Sequence, residues 1–189
     1  MSHFAALLDA NVLHSYPLTS LLLELAEARM YRPAWSADIH DEWIRSVRRA
    51  RPEVDTALLM QRREAMDVAL PDACVSGYGP LIGGLVLPDP DDRHVLAAAI
   101  RAKAQVIVTF NERDFPADTL AGFDIVVQHP DVFLRHLVDL APAIVRARVE
   151  TMLGNWRRPP NTPDSFIATL ERAGLPDAAA ALRELFAVG

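Results

Sequence analysis

With 189 residues, of which 51% are apolar and 23% charged, the chain has the composition of a folded protein of ordinary domain size, which excludes a disordered or fibrous class. Twenty-five Asp and Glu against nineteen Lys and Arg leave a formal net charge of −6, which taken alone argues against a polyanionic partner. The single cysteine, Cys74, excludes an intramolecular disulfide and suits a reducing, cytoplasmic address; no apolar run approaches the roughly 20 residues of a membrane span, so no membrane partner is expected.

Residues 4–8 are an apolar run that predicts a strand buried on both faces, with Asp9 and Asn11 at its carboxyl end. A helix follows from about Pro17, with Leu21, Leu22 and Leu25 on its apolar side. A short second strand is predicted at 30–34. Ser36 or Asp38 caps the next helix, in which Ile39, Trp43 and Val47 recur every four residues and Glu42 lies one turn from the start. Pro52 breaks it, and a further helix runs over 53–70. Residues 71–80 form a loop rich in Pro, Gly and Ser. The apolar run 81–87 predicts the third strand. Asp89-Pro90-Asp91-Asp92 then starts a helix that runs to about Lys103, with a capping acid, proline in the first turn and further acids beside it. Residues 105–109 are the fourth strand and 125–128 the fifth. Helices follow from Pro130 and from Pro142, then a proline-rich linker at 157–163, then two short helices opened by Thr162-Pro163 and Leu175-Pro176.

This alternation predicts an α/β fold: a parallel sheet of about five strands with helices on both faces, over residues 1–140, and a helical extension over 141–189. In such sheets ligands bind beyond the carboxyl ends of the strands. The acids expected there are Asp9 after strand one, Asp89, Asp91 and Asp92 after strand three, and Glu112 and Asp114 after strand four, with Glu42 able to lean toward the same end. Each has an ordinary local use as a cap, a first-turn acid or a turn former. Asp9 is the exception, because an apolar strand ending in a carboxylate is costly unless that carboxylate has a partner. Gathered carboxylates repel and raise one another's pKa unless a cation sits among them. An all-oxygen set points to Mg²⁺ or Mn²⁺ over zinc.

Four segments resemble the PIN-domain family, and most closely the toxin nucleases of VapBC-type toxin–antitoxin pairs: Leu7-Leu8-Asp9-Ala10-Asn11-Val12, Glu42 within 36–42, Asp92-Arg93-His94-Val95 with the alanines that follow, and Val108-Thr109-Phe110-Asn111-Glu112-Arg113-Asp114. They occur in the family's order over residues 4–138. The resemblance implies a three-layer α/β/α PIN-like domain. It implies a divalent-metal site of Asp9, Glu42, Asp92 and Asp114, used to hydrolyse RNA phosphodiester bonds. Many members carry Asp where this chain has Asn111, so the last ligand is open between Asn111 and Asp114. Asn11 and Thr109 are expected to orient the aspartates. A toxin of this kind further implies a cognate antitoxin and a PIN–PIN homodimer.

RNA must also be held. Residues 29–63 contain eight arginines against five acids, and Arg45, Arg48 and Arg49 share the helix of Glu42, so they are the expected phosphate contacts. Arg157 and Arg158 in the linker are a second candidate. Trp35 and Trp43 are of a type that stacks on bases, although Trp43 lies in the Ile39–Val47 stripe and is expected in the core. Three other readings compete. A HAD-class phosphatase needs a second Asp where Asn11 stands. A receiver-like signalling module needs a lysine after the last strand, whereas Lys103 precedes strand four. A PIN nuclease that processes RNA outside a toxin–antitoxin pair fits the same residues.

Overall fold

The computed structural model describes residues 4–187. Its centre is a five-stranded parallel sheet in the order β3-β2-β1-β4-β5, formed by β1 (Ala5–Leu8), β2 (Arg32–Ser36), β3 (Cys74–Val75), β4 (Val106–Val108) and β5 (Val126–Gln128). Consecutive strands step outward from β1 to β3, and the chain then returns to build β4 and β5 on the other side. The direction therefore reverses between β1 and β4, the place where an open α/β sheet leaves a crevice at its carboxyl edge. Every residue of β1 and β4 is buried, which explains their unbroken apolar runs.

Pro33 is tolerated in β2 because the amide it lacks would point to the β3 side. Arg32 N–H reaches β1 through the Phe4 carbonyl, Trp35 N–H reaches the Ala73 carbonyl, and β3 pairs only with Trp35 and Ser36.

The chain divides into two compact units. The first comprises residues 1–14 and 31–128 and holds the sheet with helices α1 (Ala10–Leu13), α3 (Ala37–Ala50), α4 (Thr56–Ala69), α5 (Gly79–Ile82), α6 (Arg93–Ala102) and α7 (Ala117–Ala121). The sheet with its flanking helices is the expected α/β/α architecture. Ser36 caps α3 through the Ile39 N–H, and α3 buries Ile39, Trp43 and Val47 as its spacing predicts. The second unit comprises residues 15–30 and 129–189, and among the described residues its regular elements are all helices: α2 (Tyr16–Glu27), α8 (Pro130–Leu140), α9 (Pro142–Asn155), α10 (Pro163–Arg172) and α11 (Pro176–Ala187). Among the described residues no helix is long and apolar enough to cross a membrane.

One strand is displaced from its expected place. Residues 81–87 are not a strand: Gly79–Ile82 is a helical turn with proline in its first positions, and the Gly83-Gly84 pair that follows removes the side chains a strand would pack. The third strand is instead Cys74–Val75, two residues long. The acids at 89–92 therefore follow an irregular segment, not a strand end. The helix expected over 53–70 begins three residues later, where Asp55 caps it through the Ala57 N–H.

Candidate functional site

Asp9 is the first residue past β1 and is 6% exposed. One carboxylate oxygen accepts the Ala10 N–H at 2.6 Å, which makes Asp9 the cap of the short helix α1. It thus has a local use that the apolar run before it does not reveal, because a four-residue helix leaves no periodic signal. The other oxygen accepts the Thr109 hydroxyl at 2.7 Å and the Asn11 side-chain amide at 2.8 Å. Thr109 lies one residue beyond β4, and β1 and β4 are neighbours, so strand pairing brings together residues 100 apart in sequence. Asn11 locks the arrangement further: its Nδ2 also donates to the Thr109 oxygen at 2.8 Å, and its carbonyl oxygen accepts the Phe110 N–H at 3.1 Å. Asn11 and Thr109 thus meet at the same Asp9 oxygen. Asn111 uses its backbone N–H on the Thr109 oxygen, while its side chain is exposed and forms no hydrogen bond with the cluster.

Glu42 and His94 form a pair that the sequence reading did not single out. His94 Nε2–H donates to Glu42 Oε1 at 3.0 Å, although 52 residues separate them. His94 stands two residues after Asp92 at the start of α6, a spacing that marks it in retrospect. Its Nδ1 is buried with no hydrogen-bond partner. Burial lowers the affinity of His94 for a proton, but Glu42, with Asp38 and Asp9 behind it, more than offsets this and raises its pKa overall.

The electrostatics place the four expected acids in one neighbourhood. Asp92 is pushed up to about 7, first by burial and then by the charges of Asp9, Asp89, Asp114 and Glu42. Asp9 is also raised, chiefly by burial, against the opposing pull of its Thr109 and Ala10 hydrogen bonds. Asp114 ends the 3-10 turn Glu112–Asp114, part-exposed, with Arg113 at 3.9 Å. Among the described residues no three His, Cys, Asp or Glu side chains lie close enough as placed to hold one metal ion together.

Arg45, Arg48 and Arg49 are exposed and line one open hollow of about 390 Å³ with Pro52, Val54 and Thr56. The tryptophans are not available for base stacking, since Trp35 and Trp43 are both 0% exposed. They belong to a polar chain that leads from the core to part-exposed Asp67, in which Trp43 Nε1 donates to His40 Nδ1, and His40 Nε2 and Trp35 Nε1 both donate to Asp67. The indole N–H groups that made them attractive as ligand contacts are consumed in the core.

Comparison with known proteins matches two segments of the chain. A family model described as "PIN domain" matches residues 5–113, and one described as "VapC50 C-terminal domain" matches residues 130–184. The "Putative ribonuclease VapC50" of Mycobacterium tuberculosis (strain ATCC 25618 / H37Rv) is 40% identical over 120 residues, which cover 64% of this chain and 70% of that protein. No solved structure matches the chain significantly.

Proposed function

The chain belongs to the PIN-domain family, and from that premise we propose that it is a metal-dependent endoribonuclease that hydrolyses RNA phosphodiester bonds as the toxin of a VapBC-type toxin–antitoxin pair. The observation that carries this reading is the gathering of carboxylates around part-buried Asp92, which is raised first by its burial and then by the charges of Asp9, Asp89, Asp114 and Glu42. A protein keeps mutually repelling carboxylates in a part-buried cluster at a cost in stability, and a cation offsets that cost.

The donor chemistry fits Mg²⁺ or Mn²⁺. Such ions take oxygen ligands, often one or two carboxylates with the remainder water, so three carboxylates in direct contact are not required. We assign Asp9, Asp92, Asp114 and Glu42 to hold the ion. Bound there, it would ease deprotonation of a water and neutralise charge growing on the phosphoryl oxygens. Thr109 and Asn11 fix the Asp9 oxygen that faces away from the α1 amide. His94 fixes Glu42 through Oε1. Glu42 or Asp114 takes the proton from the attacking water. Asn111 stays a supporting residue, with a neutral oxygen to offer. Arg45, Arg48 and Arg49 contact RNA phosphates from α3.

All of the candidate ligands precede residue 140, so we place the nuclease chemistry in residues 1–140 and treat 141–189 as a helical accessory segment. The toxin reading adds a cognate antitoxin, a homodimer and a cytoplasmic site of action. RNA processing outside a toxin–antitoxin pair uses the same chemistry. Growth arrest on induced expression, lost in Asp9→Asn, supports the toxin; cleavage in vitro without arrest supports the processing role. Cleavage by Asp9→Asn at the wild-type rate with added Mg²⁺ or Mn²⁺ would sink the site assignment.

A further inference from the structure

The helical unit contains a second basic surface that the nuclease reading leaves unused. At its centre is a stair of three aromatic rings. Phe166 is buried, Trp156 meets it edge-on at 6.0 Å, and Tyr16 tilts against Trp156 at 5.6 Å with half of its own surface, 51%, exposed. Tyr16, Trp156, Arg157 and Arg158 line a hollow of about 410 Å³ that ends at Pro159 and Pro160. The same two prolines border a second hollow of about 330 Å³ lined by Ser165, Thr169 and Arg172. Volumes of roughly 300–1,000 Å³ are those of small-molecule sites. No carboxylate lines either hollow; Asp164 lies nearby in sequence but outside both linings.

The arginines differ in how they are used. Elsewhere in this unit Arg135 pairs with Asp139, Arg146 with Glu150, Arg148 with Glu24 and Arg183 with Glu171. Among the described residues Arg157, Arg158 and Arg172 have no acidic partner within ion-pair distance, and Arg157 and Arg158 are exposed neighbours on a proline-rich segment. Prolines limit backbone freedom, so a ligand held there costs little further ordering. A strip that offers an exposed ring and several guanidinium groups without a carboxylate partner fits a chain that alternates flat bases with phosphates. An acidic peptide would use the arginines and have no need of the ring.

We propose that the strip formed by Tyr16, Arg157, Arg158 and Arg172 is a binding track for a short single-stranded stretch of RNA, one base stacking on Tyr16 and the phosphates meeting the arginines. It deepens the ribonuclease reading, and rests on it, by giving the helical unit a role in holding substrate.

The test uses the full chain in EDTA and a labelled single-stranded oligouridylate, with affinity read by fluorescence anisotropy over a salt series. Arg157→Ala/Arg158→Ala should weaken binding roughly ten-fold and flatten the log–log salt slope by about 1.4, at about 0.7 per phosphate contact on a single strand. Tyr16→Leu should weaken it about ten-fold, and Tyr16→Phe should restore it. An unchanged affinity and salt slope in the arginine variant would overturn the track, as would equal binding by Tyr16→Leu and Tyr16→Phe. Displacement of the RNA by polyglutamate at equal charge concentration would overturn it too, by showing a generic anion surface. If Tyr16→Leu melts early, the exposed arginine pair decides. RNA cleavage by the wild type with metal, run in parallel, separates the two claims. Cleavage alongside unchanged binding overturns the track alone; binding that depends on Tyr16 and the arginines, without cleavage, keeps the track and overturns the ribonuclease.

Discussion

Asp9 and Asp131 are the two buried aspartates among the described residues, one in each compact unit, and each is 6% exposed. Both satisfy backbone amides at the start of a helix. Asp131, on α8, accepts the Ala178 N–H at 2.7 Å and the Asp177 N–H at 3.1 Å, one with each oxygen, so it clamps the first turn of α11. A negative charge at a helix N-terminus is favourable, and amide donors suffice to hold it. Asp9 spends only one oxygen in this way. Its other oxygen is held by side chains from just beyond β4 and from α1, and its pKa is raised first by burial and further by the like charge of Glu42. Burial and capping therefore do not separate architecture from chemistry in this molecule. The added charge does: both aspartates accept from donors, and Asp9 also has the like charge of Glu42 acting on it.

The largest effect that could break this contrast is on activity. Asp9→Asn keeps an oxygen for the Ala10 N–H, loses the Asn11 bond and removes one of the repelling charges. RNA cleavage should fall to background while the melting temperature moves by no more than about 2–4 °C, the equivalent of roughly 1 kcal/mol for a chain of this size. Cleavage near the wild-type level would place Asp9 with Asp131 as architecture. Thr109→Val is isosteric and deletes the hydroxyl that Asp9 accepts, so cleavage should fall roughly 10–100-fold, the usual cost of losing a partner that orients a metal ligand. Activity measured across a metal titration checks it, and a loss that excess metal rescues is the signature expected of weakened ligand orientation.

On the other side of the contrast, Asp131→Ala leaves two amides of α11 without acceptors in a buried place. The expected cost is about 1–3 kcal/mol, read from urea unfolding. Asp131→Asn keeps one acceptor and should lose less. A null result for Asp131→Ala would mean that water replaces the clamp and that the burial of Asp131 is incidental.

How much of this could be read from the chain depended on range in sequence. Strands β1 and β4 are legible because burial on both faces leaves an unbroken apolar run, and α3 because Ile39, Trp43 and Val47 keep a helical period. Cys74–Val75 is too short to carry a pattern, and the longer apolar run at 81–87 is the stronger strand signal although Gly83-Gly84 interrupts it. The acids at 9, 42, 92 and 114 were visible as residue types at helix and strand ends. Their partners were not: His94 meets Glu42 across 52 residues, Thr109 meets Asp9 across 100, and the amides that Asp131 holds lie 46 and 47 residues on. Local patterns report which side chains are buried, and only the fold reports what they are buried against.

The smallest expected effect is also the most direct readout of the acid cluster. Without metal, burial and the neighbouring acids push Asp92 up to about 7 in the folded chain, against an ordinary aspartate value of 3.8. Between those two values the folded protein holds a proton that the unfolded chain has released. The cluster's contribution to stability is thus fully present below the ordinary value and is lost as pH rises through about 7. Asp9 is shifted in the same direction. Asp92 is only part-buried, so solvent screens its repulsion and the difference amounts to a few degrees of melting temperature. Asp92→Asn should remove most of the fall in melting temperature between pH 5.5 and pH 8, whereas Asp131→Ala, which leaves the cluster intact, should keep it. Mg²⁺ or Mn²⁺ should raise the melting temperature of the wild type more at pH 8 than at pH 5.5, because an ion competes with protons for the same oxygens. An equal fall with pH in the wild type and in Asp92→Asn would show that the carboxylates do not act on one another, and the distinction between Asp9 and Asp131 would then rest on the Thr109 and Asn11 hydrogen bonds alone.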